Sequence, residues 1–160
     1  MRGTIEIAMP ATVDFTELLR ADDVHLHFQS ASVVEAIPLL LRPALERRVH
    51  NRDISEAIID AAVKREEDTP TRCGPLSLPH ARSSSVADFI LALGANASGV
   101  LAGRPEPRLM FAFVSPEDRR DQHLQLLAKL AKLSQNEWIV EKIAGANSGE
   151  DVLEILRAAI

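Results

Sequence analysis

Apolar residues recur at two different periods along this chain, and each change of period marks a new element. Val33, Ile37, Leu40, Leu41 and Leu45 are three and four residues apart, which predicts a helix over 32–49 with one buried face. Pro38 and Pro43 fall inside it, and because proline has no amide proton and its ring crowds the preceding turn, a kink or an interruption is expected there. Asp53 followed three residues later by Glu56 has the form of a capping box, after which Ile54, Ala57, Ile58, Ala61 and Ala62 trace one face of a second helix as far as Lys64. Residues 86–95 (VADFILALGA) and 108–114 (RLMFAFV) are continuous apolar runs of strand length, the pattern of central strands covered on both faces. Helical spacing returns with Leu124, Leu127, Ala128, Leu130 and Ala131, and two further helices are expected over 137–143 and 149–159.

Between these elements the pattern dissolves. Residues 65–79 (REEDTPTRCGPLSLP) read as a loop punctuated by Pro70, Gly74 and Pro75. Residues 96–107, with Gly99, Gly103, Pro105 and Pro107, read as an irregular connection with room for a short edge strand. Ser83, Ser84 and Ser85 read as a turn, since they lack the G-x-S-x-G elbow of a hydrolase. No internal repeat or linker-like tract divides the chain, so one domain over 1–160 is expected, with 1–13 a loosely ordered N-terminal segment. Helices on both sides of a small sheet predict an α/β fold of the three-layer sandwich type.

Composition narrows the function. With 160 residues, 46% hydrophobic and 26% charged, there is enough apolar material for one substantial core. The net charge is −5 and the basic residues are spread along the chain, so nothing provides the electrostatic footprint of a nucleic-acid binder. The single cysteine, Cys73, cannot close an internal disulfide, and MRGTIEIAMPATVDF lacks the apolar core of a secretory signal; a cytoplasmic location is expected. The most apolar stretch, 86–102, is broken by Asp88, Gly94, Asn96 and Gly99, so no membrane insertion is expected. Phe15, Phe28, Phe89, Phe111, Phe113 and Trp138 lie in apolar surroundings and are expected in the core.

Five histidines occur, and context separates them. His80 follows Pro79 where a Gly/Pro loop meets an apolar segment, a place where a side chain is held stiffly yet opens to solvent. His123 falls in or just before the first turn of a helix, where backbone amides and the helix dipole favour an anion. Together they point to an anion site, with phosphate the obvious candidate. A phosphoryl acceptor needs a neutral imidazole nitrogen and nearby donors to spread the charge of the dianion. Arg65 lies eleven residues after Ile54 and extends the inward face of that helix towards the loop; the same position would equally complement the C-terminal end of the helix dipole.

Other clusters have plainer explanations. His25 and His27 alternate with Val24 and Leu26 and would share one face of a strand, but two ligands do not make a metal site, and a solvated strand edge is the expected reading. Cys73, seven residues before His80, lacks any third orienting residue of a thiol nucleophile and reads as an ordinary loop cysteine. Arg47, Arg48 and Arg52 read as a solvated basic face, with docking of an acidic partner as the weaker alternative.

The string LSLPHAR around His80 resembles the I-P-H-[AG] motif of the enzyme IIA domains of the fructose and mannitol class in the bacterial phosphoenolpyruvate-dependent phosphotransferase system, a class that includes stand-alone nitrogen-regulatory proteins. RPEPRLMFAFVSPE is similar to that family's second central strand and exit loop, DQHLQLLAKLAKL to its H-[IL]-x-x-L-x-x-L-A helix and GEDVLEILRAAI to its closing helix, in matching order over roughly 14–159. The resemblance implies a mixed sheet flanked by helices, with His80 as the phosphorylated histidine, His123 as the second active-site histidine and Arg65, from an R-E pair, as the charge-stabilising arginine. It also implies an HPr-type phosphocarrier as donor, an enzyme IIB domain or a regulated target protein as recipient, and no metal or organic cofactor.

The chain departs from that pattern before His80. PTRCGP stands where the family has S-T-G-I-G-x-G, only Gly74 is kept, the interval from Arg65 to His80 is one residue shorter, and the carboxylate that some relatives carry about six residues before the histidine is not replaced. Two functions of one chemistry follow: relay of the phosphoryl group during sugar uptake, or a nitrogen-type regulatory switch, which the chain's size and the lack of attached IIB or IIC segments favour. The altered loop adds an alternative, a protein-binding module of the same fold that takes no phosphate.

Overall fold

The computed structural model describes residues 13–159. In chain order these form α1 (Phe15–Leu18), β1 (Leu19–Leu26), α2 (Val33–Arg48), α3 (Arg52–Asp68), β2 (Arg72–Cys73), β3 (Leu76–Ser77), β4 (His80–Ser83), β5 (Ile90–Ala95), β6 (Leu109–Pro116), α4 (Arg120–Leu133), α5 (Glu137–Ala144) and α6 (Gly149–Ala159). Of the segment expected to be loosely ordered, residues 1–12 lie outside the described residues. Val13 is buried, and its amide donates to Gln125 Oε1 at 3.1 Å.

The sheet has the order β1-β5-β6-β3-β2, with β4 continuing the line of β3 along β6. β5 and β6 are antiparallel, whereas β1 on β5, and both β3 and β4 on β6, are parallel, so the sheet is mixed. Side chains of successive strand residues leave opposite faces, and the two central strands sort accordingly. Leu91, Leu93, Phe111 and Phe113 pack with α4, α5 and α6 on one side. Ile90, Ala92, Met110, Ala112 and Val114 pack with α2 and α3 on the other. The result is the three-layer α/β sandwich, and it explains why both runs read as apolar throughout.

Several expected boundaries move. The 86–95 strand starts only at Ile90, because 86–89 turn away from the sheet. Helix α2 is not interrupted at its prolines. Ile37, Leu40, Leu41 and Leu45 are fully buried, each contributing about 1.5–3 kcal/mol, while Pro38 and Pro43 sit on the partly exposed side, where water can serve the carbonyls they leave without donors. The cap of α3 is Asn51, whose side chain accepts from the Ile54 amide, rather than Asp53; Glu56 is held by Arg42 at 2.7 Å. That helix also runs past Lys64 to Asp68, its last turn hidden in sequence by an all-charged run.

The segment read as a loop, 65–79, is largely ordered by pairing. β2 and β3 form a two-residue hairpin, Arg72 opposite Ser77 and Cys73 opposite Leu76. Gly74 takes φ +57° at its tip, a conformation that explains why this glycine is kept. The connection at 96–107 is irregular, and Ser30 and Leu101 form a single parallel bridge beside it.

Two further expectations fail. Trp138 is 61% exposed: α5 turns Ile139, Val140 and Ile143 inward, leaving the indole outside under the Lys142 ammonium, 4.2 Å from the ring centre. Arg47 is exposed as expected, but Arg48 is not part of a solvated face: it is largely withdrawn from water, and both arginines pair with Asp23, which is fully buried on β1; Arg48 Nη2 donates to Asp23 Oδ2 at 2.7 Å. Arg52, at the start of α3, is exposed as expected.

Candidate functional site

The centre is built by register. β4 runs parallel to β6 with His80 opposite Phe113, and the break between β3 and β4 falls at Leu78 and Pro79. At that break the Leu78 carbonyl turns to meet His80 Nδ1 at 2.8 Å. Carbonyl oxygen only accepts, so Nδ1 carries the proton. Arg65 Nε donates to His80 Nε2 at 2.8 Å, which requires a lone pair on that nitrogen. Two independent contacts therefore fix one neutral tautomer, with Nδ1 protonated and Nε2 unprotonated.

His123 enters from the first turn of α4, as the spacing predicts. Its ring meets that of His80 edge-on, with 5.1 Å between centres, and Phe113 stacks under His80 at 4.8 Å. Ser115, two residues beyond Phe113 and on the same face of β6, places Oγ 2.7 Å from His123 Nδ1. The three predicted residues thus converge. His80 is not open to solvent as expected, however: it is 2% exposed, closed by Phe113, His123 and the otherwise exposed Arg65 that spans its Nε2.

Both imidazoles are held neutral. Burial is the main cause of the lowered pKa of His80, and the Arg65 charge adds to it, against the opposing pull of the Leu78 carbonyl. Burial likewise dominates at His123, whose pKa falls to about 4, with His80, Arg82 and Arg65 adding to the depression. A neutral imidazole with an unprotonated nitrogen under an arginine is equipped, once that arginine yields, to attack an electrophile and to hold the anion that results.

Three participants escaped the sequence reading. Ser115 and Phe113 could be read only as strand residues until the register placed them beneath the rings. Glu66 is buried, and its carboxylate accepts from the Thr71 amide and, at 2.6 Å, from the Thr71 hydroxyl, tying the end of α3 to the hairpin that leads to His80. The R-E pair was the visible signal for it.

The remaining candidates stay outside the centre. Cys73 Sγ contacts Ser134 Oγ at 3.3 Å at the far end of α4. His25 lies on the edge strand β1, half-buried against Phe28 rather than solvated, and His27 follows the strand with φ +55°, which breaks the alternation. Among the described residues no group of three or more His, Cys, Asp or Glu could hold a metal ion, and no helix is long and apolar enough to cross a membrane.

Fold and centre together define an α/β sandwich protein with a buried histidine pair under an arginine. The chain belongs to the family described as phosphoenolpyruvate-dependent sugar phosphotransferase system, EIIA 2, whose model matches residues 17–159. It is 28% identical over 153 residues to the fructose-specific EIIA component of Haloferax volcanii, covering 92% of this chain and 97% of that one. It spans only 22% of the length of two longer curated relatives, a fructose-specific EIIABC and a mannitol-specific EIICBA component. The fold is similar to that of the nitrogen regulatory protein IIA-Ntr from Neisseria meningitidis, with TM-score 0.72, 23% identity and coverage of 89% of this chain and 98% of that one. It is similar also to enzyme IIAMtl of Escherichia coli in a complex with phosphorylated enzyme IIBMtl, with TM-score 0.69, 21% identity and coverage of 88% and 97%. Membership supports a phosphocarrier role in general.

Proposed function

We propose that His80 accepts a phosphoryl group on Nε2 from a phosphohistidine of an HPr-type carrier and hands it to a second protein. The observation that carries this is the fixed tautomer: Leu78 holds the proton on Nδ1, so Nε2 is the nitrogen with a lone pair to give. In the transfer the donor's P–N bond breaks, its electron pair returns to the donor imidazole, and a new P–N bond forms at His80 Nε2. Arg65 has to leave that nitrogen as the phosphorus arrives; its guanidinium then pairs with the phosphoryl oxygens, while His123 donates to the same group from the other side. Expulsion of water by Phe113 and the closing partner protects the labile bond.

The recipient is an EIIB-type protein, a reading supported by family membership and by the curated relatives whose names join EIIA with B and C components. A nitrogen-type regulatory role uses the same step, with the charge on His80 selecting which target the surrounding surface binds. Chain length does not divide the two readings, since the fructose-specific component of Haloferax volcanii has the same extent. Incubation with phosphoenolpyruvate, enzyme I and an HPr-type carrier should place one acid-labile phosphate on the chain, lost in His80→Ala. Persistent labelling of that variant would refute the acceptor assignment, and an unlabelled wild-type chain would favour the non-phosphorylated binding module. Passage of the label to an EIIB protein, against retention with altered target binding, separates relay from regulation.

A further inference from the structure

Ser115 is fully buried, and the bond to His123 Nδ1 is the only one its hydroxyl makes among the described residues. A hydroxyl can donate or accept, so the 2.7 Å contact is compatible with either tautomer of the ring. Proton accounting separates them. If His123 Nδ1 donated, the buried Ser115 proton would have no acceptor, a loss that outweighs the gain of any one neutral hydrogen bond. If Ser115 donates, its proton is satisfied and the imidazole proton sits on Nε2, which no described residue engages. The cationic form, which would carry both protons, is excluded near neutral pH by burial beside Arg65 and Arg82.

We infer that Ser115 is a positioning residue: its hydroxyl donates to His123 Nδ1 and so holds His123 as a neutral Nε2–H donor for the phosphoryl group. The two histidines are then opposite tautomers of one another. His80 offers a lone pair at Nε2 and His123 a proton at Nε2, a nucleophile beside a hydrogen-bond donor. No net proton transfer is needed, so the centre works in both directions of an exchange between phosphohistidines. The tautomer follows from the geometry alone; its consequence for transfer rests on the phosphocarrier reading.

Nitrogen-15 spectra of the histidine-labelled wild-type chain at neutral pH, without phosphate, test it directly. Expected are a protonated Nδ1 in His80 and a protonated Nε2 in His123. Ser115→Ala should lose the preference at His123 alone, and Ser115→Thr, which keeps the hydroxyl, should restore it. In the labelling assay Ser115→Ala should slow phosphorylation about tenfold, the loss of one well-placed hydrogen bond, and should add nothing further to His123→Ala. A wild-type His123 protonated on Nδ1, or an unchanged tautomer in Ser115→Ala, overturns the assignment whatever the labelling shows. The expected spectra in a chain that takes up no phosphate would instead sink the phosphocarrier reading and leave the Ser115–His123 tautomer standing.

Discussion

Acidification should weaken this fold through His123, in a pH window set by its burial. The ring is 6% exposed and its pKa falls from 6.5 to about 4 on folding. The unfolded chain therefore binds the proton more tightly than the native one, and stability falls as pH drops below the unfolded value and continues to fall until the native ring itself titrates. The full difference is about 3 kcal/mol at 1.36 kcal/mol per unit, of which about 1 kcal/mol is gone by pH 5.5 and 2 to 3 by roughly pH 4.5. His80 and His25 are shifted the same way, so the wild-type slope is a sum. Urea unfolding at pH 7.5, 5.5 and 4.5 of the wild-type chain and of His123→Gln, which cannot titrate, isolates the His123 share. The two curves should converge as pH falls; curves that stay parallel would show that protonating this buried ring costs nothing, and the electrostatic picture of the centre would be wrong.

Phosphorylation should reverse that behaviour: a dianion on His80 favours the imidazolium, so the His123 pKa rises in the phosphoprotein, measurable by histidine titration in NMR. Arg65→Lys keeps the charge but not the Nε–H that meets His80, and should slow transfer by about 10- to 100-fold with little change in stability, read from initial labelling rates and urea midpoints. Asp23→Asn removes the buried carboxylate between Arg47 and Arg48 and should cost about 3–5 kcal/mol in denaturant unfolding. Gly99→Ala should be severely destabilising, since a Cβ there lies 1.9 Å from the Arg104 carbonyl oxygen; Gly74→Ala meets no atom within 4 Å and should cost only about 1–2 kcal/mol for its left-handed backbone, a contrast read in thermal melts.

How far the sequence revealed this molecule depends on what each signal encodes. Periodicity made α4, α5 and α6 legible close to their observed bounds, and the fully buried β6 with them, but on α4 it marked the wrong stripe: Leu124 is 51% exposed, and the buried side carries His123, Leu126, Leu130 and Leu133. Periodicity records nothing about pairing, and β2 and β3, at two residues each, are too short to show any period; β3 exists because the backbone of β6 offers it a partner, and β2 because β3 does. The same blindness hid Ser115, whose importance comes from lying beyond Phe113 on one face of a strand. The pairing of Arg47 and Arg48, and the burial of Arg48, left no mark in the sequence because their counter-ion, Asp23, lies more than twenty residues away on another element. Trp138 looked buried because a large indole in an apolar run usually is, and only the turn of α5 shows which side it takes. The histidine pair was legible because each member sits at an element boundary, where punctuation in sequence is strongest. Its closure under Arg65 was not, since a long flexible side chain leaves no mark on spacing.

The line of β3 and β4 along β6 has a consequence for how this protein tolerates insertions and deletions. His80 faces His123 because of its rung opposite Phe113, and a slip of one rung would carry the imidazole to the α2 and α3 side of the sheet. Residues lost or gained at the hairpin tip, 74–75, lie ahead of the β3 and β4 rungs on β6 and leave that rung in place. One added between Leu78 and His80 would not. The shortened, glycine-poor approach to His80 thus lies ahead of the rungs on β6 that set where the ring points.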